Sequence, residues 1–447
     1  MNNLNINVYA TLEIKNKILV FTVSKYIGNK LMVIFTGEKV NEKGWLNSKG
    51  EVIDIVKAGK ELTAMINEFE TTHFGLKIFR VMLILPNNNI QVRLNSGTID
   101  VRNEQQKPVL IKKDHIKELT ADIKTKNAID GNTVLSHERV QLTADGQVSE
   151  LSGINKLPTS ILGMTLRTVE VPTKVLESHK RVVAKANRDA TMFATTNINA
   201  MYYSVSNVET KNKPMLIVNW KTNSTEIGYF SNGNLVKFVK MKKSITTVIK
   251  KVAKKMKISN ESAKDYIFNI MDHSSTNNDE SVVFAKWNND TRILEKMKGS
   301  SVTEMISLII NSIYSEIKDV LKETINLGDF ITYNFGMIQN IPGANKIIKN
   351  GKALSNDYVY EENTFGSTNN RLAATIGAVK EVKRRNDNMP NKVITSVGLT
   401  KNINVEENTN SKGFGNVFGN QIKPSYNQAL FLNNDGIVID SKKIRNK

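Results

Sequence analysis

Residues 240–257 carry eight lysines and no acid, a dense concentration of one kind of ionisable side chain. Ile245, Val248, Ile249, Val252 and Met256 recur among them at helical spacing, which leaves the lysines on the remaining faces. Such a helix either docks on an acidic peptide or membrane, or packs into a core with its lysines in water; the spacing favours the core. The five histidines, His73, His115, His137, His179 and His273, are scattered without metal-ligand spacing and read as structural. The chain has no cysteine, which excludes a disulfide framework and thiolate metal sites and fits a reducing compartment. It also has no P-loop, no G-x-S-x-G and no zinc spacing. What chemistry remains rests on acids, lysines, amides and hydroxyls placed on turns.

The elements that would position those groups follow from hydrophobic period. Residues 5–36 read as three strands, with turns at Lys15-Asn16-Lys17 and Gly28-Asn29-Lys30. A helix is predicted over 56–72, with Ala58, Leu62, Met65, Ile66 and Phe69 on one face. Residues 77–85 read as one continuous buried strand. Strands at 90–101, 133–142 and 164–171 around a helix at 113–125 suggest a small inserted α+β unit. A helix at 173–187, a strand at 191–194 and a helix from Asn197 follow. Residues 215–240 then repeat the opening theme of strand, turn, strand, turn, strand. The clearest helix is 301–323, with Val302, Met305, Ile306, Ile309, Ile310, Ile313, Ile317, Val320 and Leu321 in one stripe. Ser301 and Glu304 are spaced as its capping box. From about Lys383 the sequence turns charged and rich in Asn, Ser and Gly, which predicts a flexible tail.

A chain of 447 residues with 40% hydrophobic and 23% charged residues suits two to four globular lobes. The net charge of +19 favours acidic partners, but lysine and asparagine are abundant throughout, so local clusters carry more meaning than the total. A nucleic-acid binder would interleave aromatic and basic residues in a recognisable module, and this chain does not, so nucleic acid is not expected as a partner. No segment reads as a signal peptide or as a spanning helix, which predicts a cytoplasmic protein, at most peripheral on the inner face of the membrane.

Three stretches, in order, resemble the FtsA family of actin-like cell-division proteins. Leu216-Ile217-Val218-Asn219-Trp220-Lys221-Thr222-Asn223-Ser224-Thr225-Glu226-Ile227-Gly228 is similar to the family's second phosphate hairpin, apolar-Asp-Ile-Gly-Gly-Gly-Thr-Thr-Asp. Residues 154–171 resemble the strand that leads out of its inserted subdomain. Ile341-Pro342-Gly343 and then Arg371-Leu372-Ala373-Ala374-Thr375-Ile376-Gly377-Ala378 resemble the end of the adenosine motif and the closing helix. The likeness spans about residues 6–382. It implies an α/β fold of duplicated actin-like (ribonuclease-H-like) lobes with an inserted α+β subdomain of FtsA type. The insert begins after Leu85, as in FtsA and in the pilus adaptor PilM, whereas actin and MreB place theirs inside the first sheet. The implied subdomains are 1A (1–87 and 172–211), 1C (88–171), 2A (212–243 and 324–382) and 2B (244–323), with a flexible tail at 383–447.

The departures from the family pattern change the chemistry. An actin-fold ATPase wraps phosphates in glycine-rich hairpins and holds Mg²⁺ through carboxylates. Here the first hairpin reads Glu13-Ile14-Lys15-Asn16, and the second has Asn219 for the aspartate and Lys221, Thr222 and Asn223 for the glycines. Ser224 and Thr225 keep the hydroxyls and Glu226 keeps an acid. The adenosine stretch retains Gly336, followed by Met337 and Ile338. Together these losses predict a pseudo-ATPase that needs no cofactor. Two readings of Lys15 and Lys221 stay open: they enter the cleft as counter-charges for ATP in place of Mg²⁺, or they point into solvent. ATP with Mg²⁺ therefore stays a candidate cofactor, and an active ATPase polymer a rival function.

The resemblance further implies partners: the C-terminal tail of FtsZ, a second copy in a dimer or filament, and the membrane surface through the C-terminal tail. Arg292, Lys296 and Lys298, on a strand-like stretch before the long helix, are the candidates for pairing with the FtsZ tail. The family's amphipathic terminal helix is not matched. Ala429 to Leu432 is apolar and 442–447 basic, but Gly436 and the β-branched Ile437-Val438-Ile439 disfavour helix, and Phe414 and Phe418 lie in a glycine-rich stretch.

Overall fold

The structure is a computed structural model. It describes residues 7–399 except 74, 127–130, 150–157, 191–192, 208, 211, 276–279, 289–290, 323–329, 351–356, 368 and 389–393. Two compact units divide these residues. The first takes those up to Ala200, Thr364–Ser367 and those from Ala374 onward; the second takes Met201–Asn363 and Thr368–Ala373.

The first unit opens with β1 (Val8–Ile14), β2 (Ile18–Ile27) and β3 (Lys30–Val40), an antiparallel meander with its turns where the sequence sets them. Every residue of β1 is buried, because both faces of this strand are covered. Helix α1 (Ile55–Thr72) is capped by Asp54, whose carboxylate accepts from the Lys57 N–H at 2.8 Å, and buries Ala58, Leu62, Met65, Ile66 and Phe69. The expected single strand over 77–85 is instead two, β4 (Leu76–Ile78) and β5 (Met82–Leu85). Arg80 causes the break. Its guanidinium cannot enter a strand covered on both faces, and it turns to Asp189 at 3.9 Å.

An inserted unit follows: β6 (Gln91–Asp100), β7 (Val109–Leu110), α2 (Lys113–Lys126), β8 (Asn132–Ala144), β9 (Gln147–Val148), β10 (Pro158–Thr159) and β11 (Ile161–Pro172). Its sheet runs β6-β11-β8-β9, and α2 closes a small core of its own around Leu119, Ile123, Leu142, Leu162, Met164 and Leu166. The chain then returns through α3 (Thr173–Lys185) to β12 (Ala194–Thr196), slightly later than the expected 191–194, and enters α4 (Asn197–Val205). The first sheet is ordered β12-β5-β1-β2-β3, with β5 and β12 parallel to β1 and its neighbour.

The second unit repeats this order. β13 (Met215–Trp220), β14 (Thr225–Ser231) and β15 (Asn234–Met241) form the meander. A second layer follows: α5 (Ile245–Met256), α6 (Asn260–Asp265), a π-helical turn Tyr266–Ile270, the ribbon β16 (Val282–Asn288) and β17 (Ile293–Lys298), and α7 (Gly299–Leu321). β18 (Ile331–Gly336), a 3-10 turn Met337–Asn340, α8 (Ala344–Asn350) and β19 (Asp357–Val359) complete the sheet β15-β14-β13-β18-β19, with β18 and β19 parallel to β13. The lysine-rich helix is α5, and Ile245, Val248, Val252 and Met256 lie in the core with the stripe of α7. Two readings of α7 are corrected. It begins two residues earlier, with Lys298 as N-cap and no side-chain cap, so Ser301 and Glu304 are exposed residues inside the helix and form no capping box. Val320 is exposed rather than part of the buried stripe, although its neighbour Leu321 is buried.

After a short 3-10 turn (Asn370–Leu372), α9 (Ala373–Asn388) and β20 (Val397–Leu399) close the described chain. The flexible tail expected from Lys383 is not what the described residues 383–388 and 394–399 form. Ile394 and Val397 are buried, Ser396 Oγ accepts from the Ala10 N–H at 2.9 Å, and β20 pairs with β4. Of the expected apolar island at 393–397, Val397 opens β20, and β4 supplies its edge. Phe414, Phe418, Gly436 and the segments 429–432, 437–439 and 442–447 lie outside the described residues. Among the described residues, no helix is long and apolar enough to cross a membrane.

Candidate functional site

In open sheets with parallel strands, ligands bind beyond the carboxyl ends of those strands. In the first unit those ends carry Glu13 (β1), Asn87 (after β5) and Asn197 (after β12). Glu13 is buried, and its Oε1 accepts from Asn197 Nδ2 at 2.5 Å. Asn197 Oδ1 in turn receives Asn87 Nδ2 at 3.4 Å, and Asn87 Oδ1 caps the Ile198 N–H at 2.9 Å. Lys15 Nζ lies 3.2 Å from Glu13 Oε2. The turn itself is tight: the Lys15 N–H donates to Ile18 O at 2.8 Å, and the carbonyl of the exposed Asn16 accepts from the Trp45 N–H at 2.5 Å.

The second unit builds a related arrangement at β13 and β14, with the glutamate on the second strand instead of the first. Glu226 is fully buried; Lys221 Nζ meets its Oε1 at 2.5 Å and Asn219 Nδ2 its Oε2 at 3.3 Å. The Lys221 N–H donates to Ser224 O at 2.9 Å, closing the loop over Thr222 and Asn223, both exposed. Ser224 is half-buried and Thr225 buried. The start of α5 ties the loop down from outside. The Ile245 N–H donates to Lys221 O (3.4 Å), the Thr246 N–H to Thr222 O (3.2 Å) and Thr246 Oγ1 to Thr222 O (2.6 Å).

Gly336, at the carboxyl end of β18, has φ +83°, and a Cβ there would lie 2.4 Å from Trp220 O and 2.6 Å from Asn219 Oδ1. Its N–H is held by Gln339 Oε1 at 2.7 Å. Beneath it, Asn334 Oδ1 accepts from both Trp220 Nε1 (2.9 Å) and the Tyr314 hydroxyl. Burial and the nearby Asp357 carboxylate push the Tyr314 hydroxyl well above its ordinary pKa, so it stays a donor at any working pH.

These residues do not fit a cradle for ATP with Mg²⁺. A cradle needs free backbone N–H groups lining a glycine turn. Here the first N–H of each turn is spent on closing it, and the start of α5 is spent on the loop carbonyls. Lys15 and Lys221 stay partly in solvent, 35% and 40% exposed, while their ammonium groups fold back on their own hairpin's glutamate. Among the described residues, no group of three or more acids and histidines is placed to hold a metal ion.

The sequence picked out Glu13, Asn219 and Glu226, but not Asn87, Asn197 or Asn334. The available signal was a lone amide directly after, or within, an apolar strand. Arg292, Lys296 and Lys298 belong to a different element, the β16–β17 ribbon. Lys298 is paired with Glu280 at 2.5 Å, and Arg292 sits in the ribbon's turn at φ +54°. The ribbon's face away from Phe284 and Met297 carries Trp287 opposite Leu294 and Ala285 opposite Lys296. Trp287 is 56% exposed, although Trp45 and Trp220 are buried.

No family model matches the chain, and no curated protein matches it. Solved structures do. The PilM–PilN type IV pilus biogenesis complex superposes with a TM-score of 0.51 at 12% identity, over 83% of this chain and 98% of that one. The fold is actin-like. Its duplicated sheets, each a meander with two parallel strands beside the first, are the two halves of that fold. Ethanolamine utilization protein EutJ from Carboxydothermus hydrogenoformans aligns at TM-score 0.44 and 12% identity, over 85% and 91% of the two chains. MreB5 of Spiroplasma citri bound to ADP aligns at TM-score 0.43 and 10% identity, over 86% and 99%.

Proposed function

We propose that this actin-like chain is an assembly adaptor of the FtsA type that works as a scaffold and does not hydrolyse ATP. The observation that carries the reading is the pair of closed hairpins: each fills the place of a phosphate cradle with a lysine bound to a buried glutamate. The insert after β5 supports the adaptor class over the filament-forming enzymes, because FtsA and PilM place theirs there. On this reading the subdomain division is 1A, 1C, 2A and 2B as the sequence sets it.

Calorimetry of the purified chain with ATP, with and without Mg²⁺, tests the first half. The expected result is no heat of binding at millimolar ATP. Mg²⁺-dependent binding would replace the scaffold with the ATPase polymer.

The partner on this reading is the C-terminal tail of FtsZ, met by Arg292, Lys296 and Lys298, with self-association and a peripheral membrane link through residues 400–447. An FtsZ-tail peptide is expected to shift the emission of Trp287, which is the exposed tryptophan. Lys296→Glu with Arg292→Glu is expected to weaken it about tenfold or more, as loss of two charge-assisted contacts does. Unchanged affinity would exclude this ribbon, and no binding at all would favour a different assembly partner, as in a PilM-like adaptor.

A further inference from the structure

The two hairpins share more than their topology. In each, one carboxylate oxygen meets a lysine ammonium and the other an asparagine amide: Lys15 and Asn197 on Glu13, Lys221 and Asn219 on Glu226. The glutamates are 3% and 0% exposed. A carboxylate so buried is strongly unfavourable unless a cation answers it, and here the answering lysine side chains are 35% and 40% exposed, so water screens part of each pair. ATPases of this fold answer theirs with Mg²⁺ and its waters. The duplication matters here. One lysine folding back on an acid is an ordinary ion pair, whereas a lysine at the equivalent turn of both units, each facing a buried glutamate, marks a role, even though that glutamate lies on β1 in one unit and on β14 in the other.

We propose that Lys15 and Lys221 are built-in counter-ions that stand in for the metal, each for its own hairpin. The hairpins therefore keep their closed form without nucleotide or divalent cation. A phosphate could recruit either ammonium only by drawing it away from its glutamate and leaving that buried carboxylate without its lysine cation. The lysines thus oppose nucleotide entry instead of aiding it. The inference rests on the scaffold reading for its functional meaning, but its own physical content is the coupling of each lysine to its glutamate.

The test is a double-mutant cycle on the full chain, read by thermal unfolding in EDTA and in millimolar MgCl₂. Lys221→Met is expected to lower the melting temperature by about 5 °C or more, since it takes the lysine cation away from a buried carboxylate. Lys221→Met combined with Glu226→Gln is expected to recover most of that loss. Lys15→Met with Glu13→Gln should behave the same way, and the wild type should melt alike in EDTA and MgCl₂. If Lys221→Met does not fold, folding of the double variant still supports the proposal. Additive losses, a double variant that fails to fold, or a wild type destabilised by EDTA would overturn it. ATP binding together with strong coupling would sink the scaffold reading and the opposition to nucleotide, and spare only the pairing of each lysine with its glutamate. Additive losses without ATP binding would do the reverse.

Discussion

Gly336→Ala is expected to destabilise the second unit by about 4 kcal/mol, lowering its melting temperature by about 10 °C. Two costs combine. At φ +83° and ψ −139° the backbone lies in a region open essentially to glycine alone. The added Cβ would also press on Trp220 O at 2.4 Å and Asn219 Oδ1 at 2.6 Å. The first obstacle is backbone in a central strand, which cannot swing aside. Gly28→Ala is the control, because Gly28 has φ +58° but nothing within 4 Å of the new Cβ, so only strain of about 1 kcal/mol is expected. Equal losses in the two variants, by calorimetric melting, would show that the close approach to β13 carries no weight. The result bears on function. The one glycine retained from the adenosine motif is explained by β13 and β18 packing together, so its presence is no argument for a nucleotide.

Asn334→Ala should cost about 3–5 kcal/mol, measured by urea unfolding. Asn334 is fully buried on β18 and serves three groups at once. Its Oδ1 takes the Trp220 indole and the Tyr314 hydroxyl, and its Nδ2 donates to Tyr358 O at 3.1 Å. Truncation orphans all three in a site without room for compensation by bulk water. Tyr314→Phe removes one donor and leaves the acceptor still satisfied by Trp220, so about 1 kcal/mol is expected. A similar loss in both variants would mean that the three groups find other partners. The network joins β13, β18, β19 and α7, and so fixes the strand that ends in the Lys221 hairpin.

Much of the architecture was legible because it rests on period. The alternation and runs over 5–36 and 215–240 gave both meanders, and the stripe from Val302 to Leu321 gave α7. Errors came where one residue's partner lay far away in sequence. Arg80 splits a strand because Asp189 waits for it, and the island at Val397 is a strand because β4 has an open edge. Neither partner is visible in a local pattern.

The same division runs through the site. The sequence by itself determined that glycines had left both hairpins and that a lysine, an acid and amides stood in their place. Residue type alone shows that the glycines of both turns are gone. Only the tertiary structure decided what the replacements do. Asn197 reaches Glu13 across 184 positions, and the start of α5 reaches back to the Lys221 and Thr222 carbonyls. Whether a lysine points into water, toward a ligand or onto a carboxylate depends on which buried charge lies within a few ångströms. That charge was buried by packing between elements, which no local spacing encodes.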